Sequence, residues 1–152
     1  MSVKDTLTPE GKRFQQELKK LQKLNVKIGF EGGKAFEEDG TDILDIAMWN
    51  ELGTVNSPSR PFMREAVDGN ESIINEFLKQ QKELFVKGQS AEVTLHKIGV
   101  FMKGLVQDKI VTGSFTANAP STVEKKGSAT PLIDTGNMRQ SVNFVVKGKG
   151  DK

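Results

Sequence analysis

Cysteine is absent from this chain, which excludes a disulfide framework, a thiolate metal site and a cysteine nucleophile. Histidine occurs once, at His96. One imidazole and no thiolate leave a structural zinc ion without its ligand set. No segment approaches the ~20 apolar residues of a membrane span. Met1-Ser2-Val3-Lys4-Asp5 lacks the apolar run of a signal peptide. An excess of one charge is missing too, since 22 basic against 20 acidic residues leaves +2. Nucleic-acid binders concentrate basic residues on one face, and this balance does not point to one. These absences predict a soluble, cytoplasmically made chain. Its 152 residues, 36% of them hydrophobic, suit one domain with one modest core.

What is present is clear punctuation. Thr8-Pro9-Glu10 reads as a helix start, with a capping hydroxyl, a preset φ and an acid at the positive end of the dipole. Phe14, Leu18, Leu21 and Leu24 follow at helical spacing among Lys and Gln. The helix is therefore amphipathic with a solvated basic face, and Asn25 ends it. Val26, Ile28 and Phe30 alternate with Lys27 and Gly29 as a half-buried strand. Glu31 to Gly40 is a polar loop. Asp42 caps a helix running to about Leu52, in which Ile43, Leu44, Ile46, Ala47, Met48 and Trp49 leave almost no polar face. Such a helix is either enclosed by the core or covered on one side by a partner subunit.

Gly53 stops that helix, and Val55 to Pro61 is a loop. Pro61 opens a long helix through Phe62, Ala66, Ile73, Ile74, Phe77, Leu78, Leu84 and Phe85, with a weak stretch at Asp68-Gly69-Asn70. After a turn at Gly88-Gln89-Ser90, a second long helix carries Ala91, Leu95, Ile98, Met102, Leu105 and Ile110 on one stripe. The two helices pair as an antiparallel hairpin. Thr112 to Pro131 is aperiodic and rich in Ser, Thr, Gly, Asn, Ala and Pro; such long loops are usually functional or disordered. Asp134 caps a helical turn over Thr135 to Gln140. Val142 to Lys147 form a closing strand, and 147–152 a flexible Gly/Lys tail. The expected fold is α+β: a small, mainly antiparallel sheet packed against two long helices, plus an N-terminal amphipathic helix.

Motifs with chemical content fail on spacing. Gly33-Lys34 resembles the centre of a phosphate loop, but Ile28 stands at the first glycine and Ala35 at the magnesium ligand. A glycine-rich hairpin tip fits better. His96 has no G-x-S-x-G serine to serve, and a base needs a nucleophile and an orienting acid. It reads as a structural or surface histidine. Glu37, Glu38, Asp39, Asp42 and Asp45 lack the alternating ligands and closing glutamate of a calcium loop. Lys125-Lys126 and Lys147, Lys149 and Lys152 form small basic patches that can touch DNA phosphates, although keeping flexible segments soluble explains them as well. No catalytic group, cofactor or metal is expected, and the chain is not expected to be an enzyme.

Two segments carry more specific information: WNELGTVNSPSRPFMREA (Trp49–Ala66) and NAPSTVEKKGSATPLIDTGNMRQSVNF (Asn118–Phe144). WNELGT is similar to an "NEFGT" signature, with Leu52 in the aromatic place. RPFMREA is similar to "RPFLRPA", with Glu65 replacing the second proline. PLIDTGNMRQSV looks like "PLIDTGxLRxSI", and NAPSTVEKKGS resembles a "PNxPxTxxxKG" approach loop. Together with the strand VKIGF, these blocks resemble the family of small bacteriophage neck proteins that complete the tail or join it to the head. The resemblance spans Val26 to Val146. It implies a virion protein of a tailed phage or prophage, made in the host cytoplasm and forming a ring, typically six-fold, at the head–tail junction. Its partners would be copies of itself, the tail terminator or tail tube, and the head connector, with non-specific contact to DNA in the lumen, no membrane and no cofactor. Interface candidates are Trp49, Arg60, Phe62, Phe115, Lys125, Lys126 and Arg139, with Thr112 to Pro131 as a docking arm and Glu31 to Gly40 as a second candidate; Arg60-Pro61-Phe62 also fixes where the long helix begins and would set Phe62 into the core. The alternatives are a tail terminator or head-closure adaptor of the same neck, or a small DNA-binding protein.

Overall fold

Thr8 caps the first helix as its sequence demands: its Oγ1 accepts from the Gly11 N–H at 3.1 Å, and Pro9 occupies the first turn. The computed structural model describes residues 6–112 and 136–150. In chain order the elements are α1 (Pro9–Lys23), β1 (Leu24–Gly29), α2 (Ile43–Leu52), α3 (Phe62–Asp68), α4 (Glu71–Val86), α5 (Ala91–Thr112), α6 (Asn137–Ser141) and β2 (Asn143–Gly148). The fold is α+β: among the described residues α1, α3, α4 and α6 pack on α5, α2 packs on α3 and α6, and two strands form an antiparallel ribbon.

The ribbon pairs Leu24 with Gly148, Val26 with Val146 and Ile28 with Phe144. Directly opposed residues share a face, so these form the side that packs on α5, while Lys27 and Val145 point the other way. A two-stranded ribbon is marginal alone, and α5 supplies the surface it needs. This pairing shifts two boundaries from the sequence expectation. The first helix stops at Lys23, because Leu24 and Asn25 already belong to the ladder. The flexible tail does not begin at Lys147, because Lys147 and Gly148 are in β2 and the Lys149 N–H donates to the Lys23 carbonyl at 2.8 Å.

The long helix expected from Pro61 is broken in two. A Cβ on Gly69 would lie 2.8 Å from the Glu65 carbonyl, and Asn70 Nδ2 donates to the Ala66 carbonyl at 2.8 Å, closing the last turn of α3. α4 then restarts and pairs with α5, with Phe77 stacked on Phe101 at 4.0 Å. Thr112 ends α5 rather than opening a loop, and its hydroxyl donates to the Asp108 carbonyl at 2.8 Å. α5 buries Thr94, Gly99 and Val106 as well as Ala91, Leu95 and Ile110, because other elements cover it on several sides. The buried Thr94 and Gln81 are both bonded to Gln89 Nε2, at 2.8 and 2.9 Å. α6 begins at Asn137 with Gly136, at φ 81°, in the capping position. Asp134 and Thr135 lie outside the described residues. Among the described residues no helix is long and apolar enough to cross a membrane.

α1 is held to α5 by one long-range polar contact. The Ala91 N–H donates to Glu17 Oε2 at 2.9 Å, so a carboxylate of one helix caps the other. That bond, with help from Lys20 and Arg13 and against partial desolvation, holds the Glu17 carboxyl below its ordinary 4.5. A depressed carboxylate stabilises fully above its unfolded-state pKa and loses the contribution as pH falls through the folded value. Acidification below 4.5 should therefore loosen α1. Urea unfolding at a series of pH values checks this: the stability gap between wild type and Glu17→Gln should close in acid.

Candidate interaction surface

The corner between α2 and α3 is built from its own polar atoms. Asp42 starts it: Oδ1 accepts from the Leu44 N–H at 3.0 Å and Oδ2 from the Gly33 N–H at 2.7 Å, so one carboxylate caps α2 and pins the glycine loop. Gly53 ends α2 at φ 77°, where an added Cβ would lie 2.8 Å from the Ser59 nitrogen. Thr54 and Ser57 then close a tight turn through paired backbone bonds of 2.9 and 3.3 Å. Ser59 Oγ donates to the Glu51 carbonyl at 2.7 Å. The Glu51 carboxylate accepts from the Met63 and Arg64 N–H groups at 2.9 and 3.1 Å. A side chain on α2 thus caps α3, which has no cap of its own at Pro61.

Beneath this corner lies the core: Ile43 and Ala47 of α2, Phe62 and Ala66 of α3, Val106 and Ile110 of α5, then Met138 and Val142. The described parts of the two motif blocks, distant in sequence, therefore meet in one cluster. Above the corner the chain is apolar and open. Met48 and Trp49 are 47% and 48% exposed, Leu52 is 74% exposed and Val55 fully so. Residues 48, 49 and 52 lie on one helical face, opposite the buried Ile43 and Ala47. Of the two environments expected for this helix, enclosure by the core is not what the structure has: the core covers one side and the other is open.

The sequence-derived interface residues separate. Trp49 stands on the open ridge. Arg60 is half-buried against α2, with Nη1 3.5 Å from Asn50 Oδ1. Phe62 is completely buried and edge-on to Phe30 at 6.0 Å, so it is a core residue and not an interface residue; the preceding turn points it inward. Arg139 is exposed on α6, and its carbonyl accepts from Gln107 Nε2 at 3.0 Å. Phe115, Lys125 and Lys126 lie outside the described residues, as does the proposed arm beyond Thr112. The Glu31–Gly40 loop is tied down by a Phe36–Asp42 bridge and by Asn137 Nδ2 donating to Glu37 Oε2 at 3.4 Å.

His96 is exposed on α5 with its ring edge-on to Phe144 at 5.1 Å. Among the described residues no group of three or more His, Asp or Glu side chains converges as a metal site. Sequence reasoning missed the cap made by Glu51 and the exposure of Leu52 and Val55. The missing polar face of α2 was the available signal for the ridge. No protein-family model, curated protein or solved structure matches the chain.

The Glu51 cap carries a direct expectation. Glu51→Ala should cost about 1–2 kcal/mol by leaving two N–H groups at the start of α3 unsatisfied. Denaturant unfolding of the two proteins measures it, and an unchanged midpoint would show that solvent serves those groups equally well.

Proposed function

We propose that this chain is a structural component of the neck of a tailed bacteriophage or prophage, completing the tail or joining it to the head as one subunit of a ring. The observation that carries this reading is the ridge Met48–Trp49–Leu52–Val55, standing on a corner whose Asn50, Glu51 and Ser59 are engaged within the chain. A catalytic cleft turns polar groups toward a ligand. Here the polar groups turn inward and the apolar ones outward, as at a protein interface. The same segment carries the resemblance to the neck signature, which joins the two lines of support. In this role the chain docks on the tail end or the connector and meets DNA only through non-specific charge.

Electron microscopy of particles from a phage or prophage lacking the gene tests the proposal. Filled heads separated from finished tails are the expected result. Joined, infectious particles overturn it and return attention to DNA binding. Tails of aberrant length overturn it in favour of a tail terminator.

A further inference from the structure

The register of the ribbon gathers charge that the sequence spreads over two distant segments. Phe144 lies against Gly99 of α5, and Ile28 is its cross-strand partner, so the odd-numbered positions of both strands face outward. On that outer face Lys27 stands opposite Val145, Asn25 opposite Lys147, and Gly29 opposite Asn143. The pairing extends one step further through the Lys149 N–H, which donates to the Lys23 carbonyl at 2.8 Å and sets Lys149 opposite Lys23. Four lysines therefore share one face, and neither strand contains an acidic residue. Lys23, Lys27 and Lys149 are exposed, and Lys147 is half-buried.

This arrangement works against folding. Like charges directly across a ribbon, or diagonal on it, are destabilising. Lys23 faces Lys149 directly, and Lys147 lies diagonal to both Lys23 and Lys27. Positions two apart on a strand are separated by about 7 Å, within the ~8 Å Debye length of physiological salt, so neighbouring potentials add. A shallow trough of about 310 Å³ lies against the face, lined by Lys27, Gly29, Asn143, Val145 and Lys147, with Glu31 at its end beyond β1. It is open at Gly29, where an added Cβ meets nothing within 4 Å.

The rest of the face narrows the choice of ligand. Val145 is its one apolar side chain and is half-buried. A protein interface has an apolar core, and a bilayer surface takes up apolar side chains. A basic face without them suits a ligand held by charge alone, which is how proteins bind the closely spaced phosphates of nucleic acid. A two-stranded ribbon also has the width that the major groove admits.

We infer that the outer face of the β1–β2 ribbon binds the phosphate backbone of DNA, without sequence preference, through Lys23, Lys27, Lys147 and Lys149. That this DNA is the genome passing through a phage neck rests on the functional reading above; the affinity of the face does not.

Binding of the full-length chain to a mixed-sequence duplex, followed by fluorescence anisotropy over a series of salt concentrations, tests the inference. With four phosphate contacts log K should fall against log[salt] with a slope of about −3.6, on the order of a hundredfold for a fourfold rise in salt. Lys27→Gln and Lys149→Gln should each flatten the slope by about 0.9, and replacing all four lysines should abolish binding. Lys79→Gln makes the same charge change at an exposed position of α4 and should leave the slope as it is. Amide shifts of the isotope-labelled wild-type chain on adding the duplex should cluster at 23–29 and 143–149, a readout that needs no variant. Absence of binding at low salt overturns the inference. So does an equal effect of Lys79→Gln and Lys27→Gln, which would mean that net charge alone is read, and so do amide shifts confined to other elements. Salt-sensitive binding at the ribbon alongside normal particles lacking the gene would preserve the face and remove the neck reading. Separated heads and tails with no affinity for DNA would do the reverse.

Discussion

Phe62→Ala is expected to lower the stability of the folded chain by about 3–5 kcal/mol, the usual cost of emptying a buried aromatic site. Phe62 is completely buried, edge-on to Phe30, in a cluster that draws on α2, α3, α5 and the closing segment of the chain. A domain of this size has only about 5–15 kcal/mol in hand, so the variant should melt far earlier or fail to accumulate. Thermal and urea unfolding measure the effect. The contrast is with Trp49→Ala, which removes a half-exposed ring and should shift stability by no more than ~0.5 kcal/mol while reducing association. If Phe62→Ala left the melt unchanged and Trp49→Ala collapsed it, the division between core and ridge would be reversed.

That division was partly legible in the sequence. The missing polar face of α2 announced either enclosure or a covered side, and Asp42 and Gly53 marked its ends correctly. Arg60-Pro61-Phe62, at the start of the helix, set Phe62 into the core, as found, although the motif also grouped Phe62 with the interface candidates. Its direction depends on how Glu51 and Ser59 set the corner, and those bonds reach 8 to 13 residues along the chain. The closing strand was readable by alternation, but its register was not. Only pairing with β1 keeps Lys147 to Lys149 out of the tail. Glu17 was equally silent, since capping α5 from α1 requires a contact across 74 residues. Local propensity places elements, whereas bonds between elements decide which apolar residues face inward.

Gly99→Ala is expected to destabilise the chain by up to about 2 kcal/mol, against the ordinary preference of helices for alanine. In α5 an added Cβ at this position would lie 2.2 Å from Phe144 Cδ2 and 2.6 Å from Cε2. Those atoms belong to a rigid ring whose strand is tied to Ile28 of β1 and whose edge meets His96. The ring cannot retreat without lifting the ribbon from the helix. The gain in helix propensity is about 1 kcal/mol, and overpacking of this kind costs 1–3 kcal/mol or more, so the clash should win. Gly104 supplies the control on the same helix: nothing lies within 4 Å of its added Cβ, and Gly104→Ala should stabilise by up to ~1 kcal/mol. Combining Gly99→Ala with Phe144→Leu should recover part of the loss, with a coupling of about 1–3 kcal/mol in a double-mutant cycle. A Gly99→Ala protein that melts at or above the wild-type temperature would mean that β2 does not rest on α5 at this glycine, and the ribbon would then have to find its support elsewhere.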